Sequence, residues 1–250
     1  MANTCNICGA KINVFQAQKL ADGNYICRKN CRAKGFRVFD YVHASLPQVT
    51  AHLAQVETGT KLWAQYFVPK MNEKDKEKKL RRFGSGLYVA ADLGLMAYTQ
   101  VDYKFFIFGK STRAYVYRIA DLIGYDMDEI EEKTSNGTQK KTVARFSFTK
   151  TEGMAEFVLP INGAKEFESL RKYFDTLFGI QKTLGNAMNN WNKQAAAIKS
   201  VASGIKAAVN GAENIEEKAA EAAGALDVAI YGDRTELIRR ADAALAAFHG

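Results

Sequence analysis

The sequence predicts an α+β multidomain protein with three parts in order: a small cysteine-bearing ribbon, an antiparallel β barrel closed by one helix, and an α-helical tail. Three observations carry this expectation. All four cysteines fall within the first 31 residues, as two close pairs. About seven short runs rich in aromatic and β-branched residues lie between Leu87 and Ile161, separated by turn signals. After Asn162 the apolar period becomes helical and persists, in increasingly alanine-rich sequence, towards the end. The expected segments are a ribbon over 1–40, a helix and basic linker over 41–82, the β domain with its capping helix over 83–179, and the tail over 180–250.

In the first part, Cys5-Asn6-Ile7-Cys8-Gly9 and Cys27-Arg28-Lys29-Asn30-Cys31 each set two thiols on one side of a turn. Two such turns supply the four-sulfur cage of a structural zinc site, with Cys5, Cys8, Cys27 and Cys31 as ligands. Gly9 stands where the first knuckle turns back and a positive φ is needed. Between the pairs, Lys11 to Phe15 alternates polar with apolar, and Ala21-Asp22-Gly23-Asn24 reads as a turn leading into a strand at Tyr25-Ile26. The alternatives are two disulfides or four buried thiols. No basic head or apolar stretch opens the chain at Met1-Ala2-Asn3-Thr4, which predicts a cytoplasmic protein and argues against disulfides.

Hydrophobic content of 47% and charged content of 25% are ordinary for a soluble globular protein, and no apolar run approaches a membrane span. The net charge of +8 is unevenly spread. Residues 1–82 carry 15 Lys and Arg against 6 Asp and Glu, whereas residues 83–250 carry 20 against 21. Phe36 to Val42 forms a short apolar cap for the metal module. Ser45 before Leu46-Pro47 starts a helix that runs to Val68-Pro69, with Thr58-Gly59-Thr60 expected to kink or split it. His43 and His52 read as surface or packing residues, the cysteine set being complete without them. Residues 70–82 hold seven basic and three acidic residues and read as a solvated linker or, on the sharper reading, an arm that contacts phosphate.

The strand runs are Leu87–Val89, Gly94–Thr99, Tyr103–Phe108, Ala114–Ile119, Leu122–Met127, Val143–Phe148 and Ala155–Ile161. The helix with Phe167, Leu170, Phe174, Leu177 and Phe178 on one face then ends at Gly179. Seven antiparallel strands followed by one amphipathic helix is the order of a pleckstrin-homology-like or GRAM-like barrel. The ribbon, with Lys11, Phe15, Leu20 and Asp22-Gly23 between its cysteines, resembles a small bacterial family of N-terminal four-cysteine ribbons of unknown function. That resemblance implies a PH-like domain behind the ribbon, and Tyr117 to Tyr125 is similar to a strand–turn–strand corner of such domains. The second knuckle departs from two-residue spacing, with three residues between Cys27 and Cys31. The resemblance implies no activity.

In the tail, Leu184, Met188, Trp191, Ala195, Ile198, Ala202, Ile205, Val209 and Ala212 alternate spacings of four and three, a heptad seam. Two shorter helices follow, starting near Asn214 and Asp233, the last with Leu237, Ala241, Leu245 and Phe248. So alanine-rich a seam needs a partner: its own hairpin, the β domain or, through 184–230, a second copy of the chain.

No catalytic constellation is legible. The histidines are 43, 52 and 249, and neither a Walker-type loop nor a dinucleotide glycine fingerprint is present. The acidic run Asp126, Asp128, Glu129, Glu131 and Glu132 lacks the pattern of a calcium loop and reads as a solvated strand edge. The expectation is a non-enzymatic zinc-binding scaffold that docks a protein or ligand through the PH-like domain and assembles through the helical tail, with membrane binding disfavoured. The alternative is a nucleic-acid-associated protein using the basic residues 1–82.

Overall fold

The computed structural model describes residues 3–75, 78–103, 110–134, 137–149, 153–179 and 233–249. The heptad seam, the self-association assigned to 184–230, the helix starting near Asn214 and all but the first residue of the strand run Tyr103–Phe108 lie outside the described residues.

In the ribbon, β1 (Asn3–Thr4) pairs antiparallel with β2 (Lys11–Ile12), and β3 (Ala17–Lys19) with β4 (Tyr25–Cys27). The Asp22-Gly23-Asn24 turn joins β3 to β4, closed by the Leu20 N–H donating to the Asn24 carbonyl at 2.9 Å. The strand expected over Lys11 to Phe15 stops at Ile12. Asn13 breaks it, because its side-chain oxygen accepts from the Phe15 and Gln16 amides at 3.1 and 3.0 Å and folds residues 13–16 into a turn.

Helix α1 (Leu46–Leu62) begins at Ser45, whose amide donates to Gln48 Oε1 at 2.9 Å, with Pro47 in the first turn. Helical turns over Trp63–Phe67 and Val68–Lys70 continue it. The break expected at Thr58-Gly59-Thr60 does not occur. A Cβ at Gly59 would lie 2.5 Å from the Ala114 carbonyl, so the glycine serves close approach of α1 to a strand. Beside it, Thr60 Oγ1 accepts from the Ala114 amide at 3.2 Å.

Among the described residues, seven strands follow as two antiparallel meanders. The first has the order β5 (Arg81–Phe83), β6 (Leu87–Ala90), β7 (Leu95–Tyr103) and β8 (Lys110–Arg118). The second comprises β9 (Leu122–Thr134), β10 (Gly137–Phe148) and β11 (Glu156–Pro160), with β10 central. A short 3₁₀ turn, Ile119–Asp121, makes the corner between the sheets. Arg81 and Arg82, expected in a linker, are therefore already in the first strand. The acidic run of β9 faces cationic β10, with Asp128 on Arg145 at 2.7 Å and Glu132 on Lys141.

Helix α2 (Ala164–Leu177) follows, and α3 (Thr235–His249) covers the outer face of the first sheet. The sheets share one aromatic interior: Tyr98 stacks on Phe157 at 4.2 Å and Tyr117 on Phe148 at 3.9 Å, with Phe174 of α2 in the same core. Among the described residues no ladder joins the two sheets, so the closed barrel expected from the strand count is not found. Strand β8 ends the first sheet, and at Ala114 its outward amide is met by Thr60 of α1 instead of by another strand.

Candidate metal centre

The four cysteines are brought together as the sequence spacing requires. Cys5 Sγ lies 3.7 Å from Cys31 Sγ, and Cys8 Sγ lies 3.7 Å from Cys27 Sγ. All four sulfurs lie within 4.8 Å of one another. A zinc–sulfur bond of about 2.3 Å in a tetrahedron gives a sulfur–sulfur edge of about 3.8 Å, so the cage has the dimensions of a four-thiolate site. A disulfide, at about 2.05 Å, is far shorter, and all four thiols are free.

Local chemistry fixes each sulfur. In the first knuckle the Gly9 amide donates back to the Cys5 carbonyl at 2.9 Å, and Gly9 takes the expected left-handed conformation at φ 72°. Asn6 ties this knuckle to β4: its amide donates to the Tyr25 carbonyl at 2.8 Å, and its Oδ1 accepts from the Tyr25 amide at 2.9 Å. The extra residue of the second knuckle is taken up by a wide helical turn over Arg28–Arg32. Within it the Cys31 amide donates to Cys27 Sγ at 3.2 Å, and across the ribbon the Cys27 amide donates to Cys5 Sγ at 3.3 Å. Amide donors directed at sulfur favour thiolates.

The thiols are electrostatically unequal. Burial pushes the Cys5 thiol up, but amide donors from Cys8, Ile7 and Cys27 outweigh it and bring the group down to about 6. Cys31 is pushed up, first by burial and then by its sulfur neighbours. Four such groups cannot all ionise side by side without a cation between them, which the cage is sized to hold. Among the described residues no other set of three or more His, Cys, Asp or Glu atoms is so grouped.

The ribbon is docked through three contacts that sequence patterning did not reveal. Asp22 Oδ2 accepts from the Leu46 amide at 2.7 Å, placing a carboxylate at the start of α1. Asp102 of β7 pairs with Arg37 at 2.7 Å and with Arg113 of β8, whose guanidinium also donates to the Ala33 and Gly35 carbonyls. Fully buried His52 accepts from the Phe36 amide at Nε2, at 3.0 Å, and stacks on Phe39 at 4.0 Å. Burial and then the Arg113 charge lower its pKa to about 4, so it is neutral. His43 is exposed and pairs with Asp40 at 2.7 Å. A histidine at helical spacing offers only a packing signal; its buried acceptor role depends on residues far away in sequence.

These features define a four-cysteine ribbon docked on an α+β body. Residues 4–52 match the family model described as Domain of unknown function (DUF4428). No curated protein matches the chain, and no solved structure does. The match runs past residue 40, taken above as the end of the ribbon, and stops inside α1. Its extent has a physical reason, because Tyr41, Ala44 and Val49 are buried in the same cluster as Cys5, Cys27 and Cys31. Among the described residues, no helix is long and apolar enough to cross a membrane.

Proposed function

We propose that the chain is a non-enzymatic, cytoplasmic zinc-binding module in which one structural zinc, held by Cys5, Cys8, Cys27 and Cys31, fixes a ribbon used for docking a protein partner. The observation that carries this reading is the 3.7 Å sulfur–sulfur spacing. An all-thiolate cage leaves no open position for substrate, so the metal organises the fold and does no chemistry. A pleckstrin-homology-like assignment for the body is supported by its four-plus-three strand order with a helix immediately after the last strand. Metal analysis of protein purified without added metal is expected to give one zinc per chain, lost in Cys27→Ser. Iron as the bound metal, or full retention in the variant, overturns the metal assignment. Docking is tested by co-purification with the intact protein: a specific partner released by Cys27→Ser supports it, and one retained by that variant places docking elsewhere.

A second reading, nucleic-acid association through residues 1–82, is favoured by one specific feature. Phe15 is 85% exposed at the tip of the ribbon, and the Arg28 amide donates to the adjacent Gln16 carbonyl at 2.8 Å. An exposed ring within the most basic part of the sequence can serve as a stacking platform. An oligonucleotide mobility shift at two salt concentrations tests it, with loss expected in Phe15→Ala. A shift indifferent to that change rejects the platform.

A further inference from the structure

A cleft of about 1040 Å³ lies between β5 and α2, lined among others by Lys79, Arg81, Arg82, Ser169, Lys172 and Tyr173. Its volume is at the upper end of small-molecule sites. Four of these residues are cations, and among the described residues none of the four is ion-paired. That contrasts with other parts of the molecule, where Arg37, Arg145 and Arg240 each have a carboxylate. Asp92, whose charge bears on Tyr173, is committed to Lys70, and Glu168 beside Ser169 is committed to Arg171. The cleft therefore concentrates positive charge that the described fold leaves uncompensated.

The donors are held in place. The Arg81 guanidinium lies 5.5 Å over the Phe83 ring, and that of Arg82 lies 5.5 Å over Tyr88. Neighbours on a strand face opposite ways: Phe83 packs on Tyr173 of α2 and Tyr88 on Trp63 of α1, so the Arg81 guanidinium is the planar fork on the α2 side and that of Arg82 lies on the other face of the sheet. Ser169, Lys172, Tyr173 and Thr176 follow helical spacing and share one face of α2. The Thr176 hydroxyl donates to the Lys172 carbonyl at 2.7 Å, so the spare hydroxyl donors are those of Ser169 and Tyr173. Burial pushes the Tyr173 hydroxyl up against the opposing pull of Arg81, so it keeps its proton and can donate. One carboxylate would answer only one of the three charges on the α2 side. A ligand with several phosphates answers all of them.

We propose that the cleft between β5 and α2 binds a small polyphosphorylated ligand, through Lys79, Arg81 and Lys172 with the Ser169 and Tyr173 hydroxyls. The site uses no residue of the ribbon and stands or falls apart from the metal assignment. The experiment is calorimetric titration of the full zinc-loaded chain with inorganic tripolyphosphate. A parallel arm uses phosphatidylcholine vesicles with and without phosphatidic acid, separating a free ligand from a lipid headgroup. Saturable binding in either arm is expected, weakened about tenfold or more by Arg81→Glu and by Lys172→Glu. The same charge change at Lys19 or Lys34 should leave it within about twofold, as is usual for charges outside a contact. All four residues are exposed, so the variants are expected to fold. Equal loss in the control variants, or saturation in neither arm, overturns the proposal. Binding of a single-stranded oligonucleotide without any response to tripolyphosphate also overturns it, in favour of a nucleic-acid track.

Discussion

Beside the β body, the ribbon has a meagre interior: Ile12, Ala17, Leu20 and Ile26 around three buried cysteines. The body packs Tyr98, Tyr117, Phe146, Phe148, Phe157 and Phe174 into one cluster between two sheets and a helix. A unit of about 40 residues or fewer rarely buries enough surface to fold alone and recruits a metal or cross-link instead. The body, with full-length strands and stacked rings, needs none. Sequence of similar overall polarity is thus stabilised by coordination at one end and by burial at the other. Between them, Phe36 belongs to the body's core while Tyr41 belongs to the ribbon's.

The largest expected effect breaks the two regions apart. Chelation, or Cys27→Ser, removes metal-binding free energy on the order of 10 kcal/mol, most of what holds the ribbon. Amides over residues 5–31 should then lose hydrogen-exchange protection while those of β10 keep theirs. Simultaneous loss of protection in both would show one cooperative unit and dissolve the distinction.

The converse perturbation is Phe157→Ala. Phe157 is buried and stacks on Tyr98 at 4.2 Å and Phe146 at 4.9 Å. Its truncation should cost about 3–5 kcal/mol in urea unfolding followed at the β body, with metal content unchanged. Zinc lost in proportion to the body's stability would mean that the ribbon depends on the body as much as on its metal.

The metal cage was legible because its information is local: pair spacing, Gly9 and the Asp22-Gly23-Asn24 turn each act within a few residues. Six of the expected strand runs were legible for the same reason, through aromatic and β-branched residues between turns, whereas the strand at Arg81–Phe83 was hidden in a basic run. Two local signals misled. Alternation over Lys11 to Phe15 suggested a longer strand, but Asn13 captures two amides and turns the chain. Gly59 suggested a break in a helix, yet its missing side chain admits the backbone of β8. The role of His52 and the Asp102 network could not be read at all, since each joins residues brought together only by the tertiary fold. The uncompensated cations of the cleft were visible in part, as a basic run over 70–82, but Lys172 arrives from another element.

A smaller effect sharpens the junction. His52 accepts from the Phe36 amide, and protonation would turn that acceptor into a donor facing a donor. Its folded pKa is lowered from 6.5 to about 4. Between these values the unfolded chain binds more protons, so stability is fully present above about pH 6.5 and is lost as pH falls towards 4. The loss is about 3 kcal/mol. Urea unfolding across this range should show the slope in the wild type and a reduced slope in His52→Gln, whose side-chain oxygen can still accept from Phe36. Identical slopes would assign the acid sensitivity to other groups.

The smallest effect concerns the outer contact of that junction. Arg37 and Arg113 share Asp102, but the Arg37 side chain is 74% exposed and that of Arg113 only 17%. Burial raises the pKa of Asp102 and is outweighed by the Arg113 hydrogen bond and charge, with Gln100 and Arg37 adding to the pull, so the carboxyl stays ionised below its ordinary range. Deleting Arg37 leaves that carboxylate paired, and the Arg37 amide still donates to Gln100 at 2.8 Å. Arg37→Ala should therefore cost less than about 1 kcal/mol, as exposed ion pairs do, and salt should erase most of it. Arg113 is a poorer probe of the ion pair alone, because its removal also strands the Ala33 and Gly35 carbonyls. A double-mutant cycle of Arg37→Ala with Asp102→Asn isolates the pairwise coupling. Coupling well above 1 kcal/mol that persists in high salt would mean that Arg37 is a principal anchor of the ribbon.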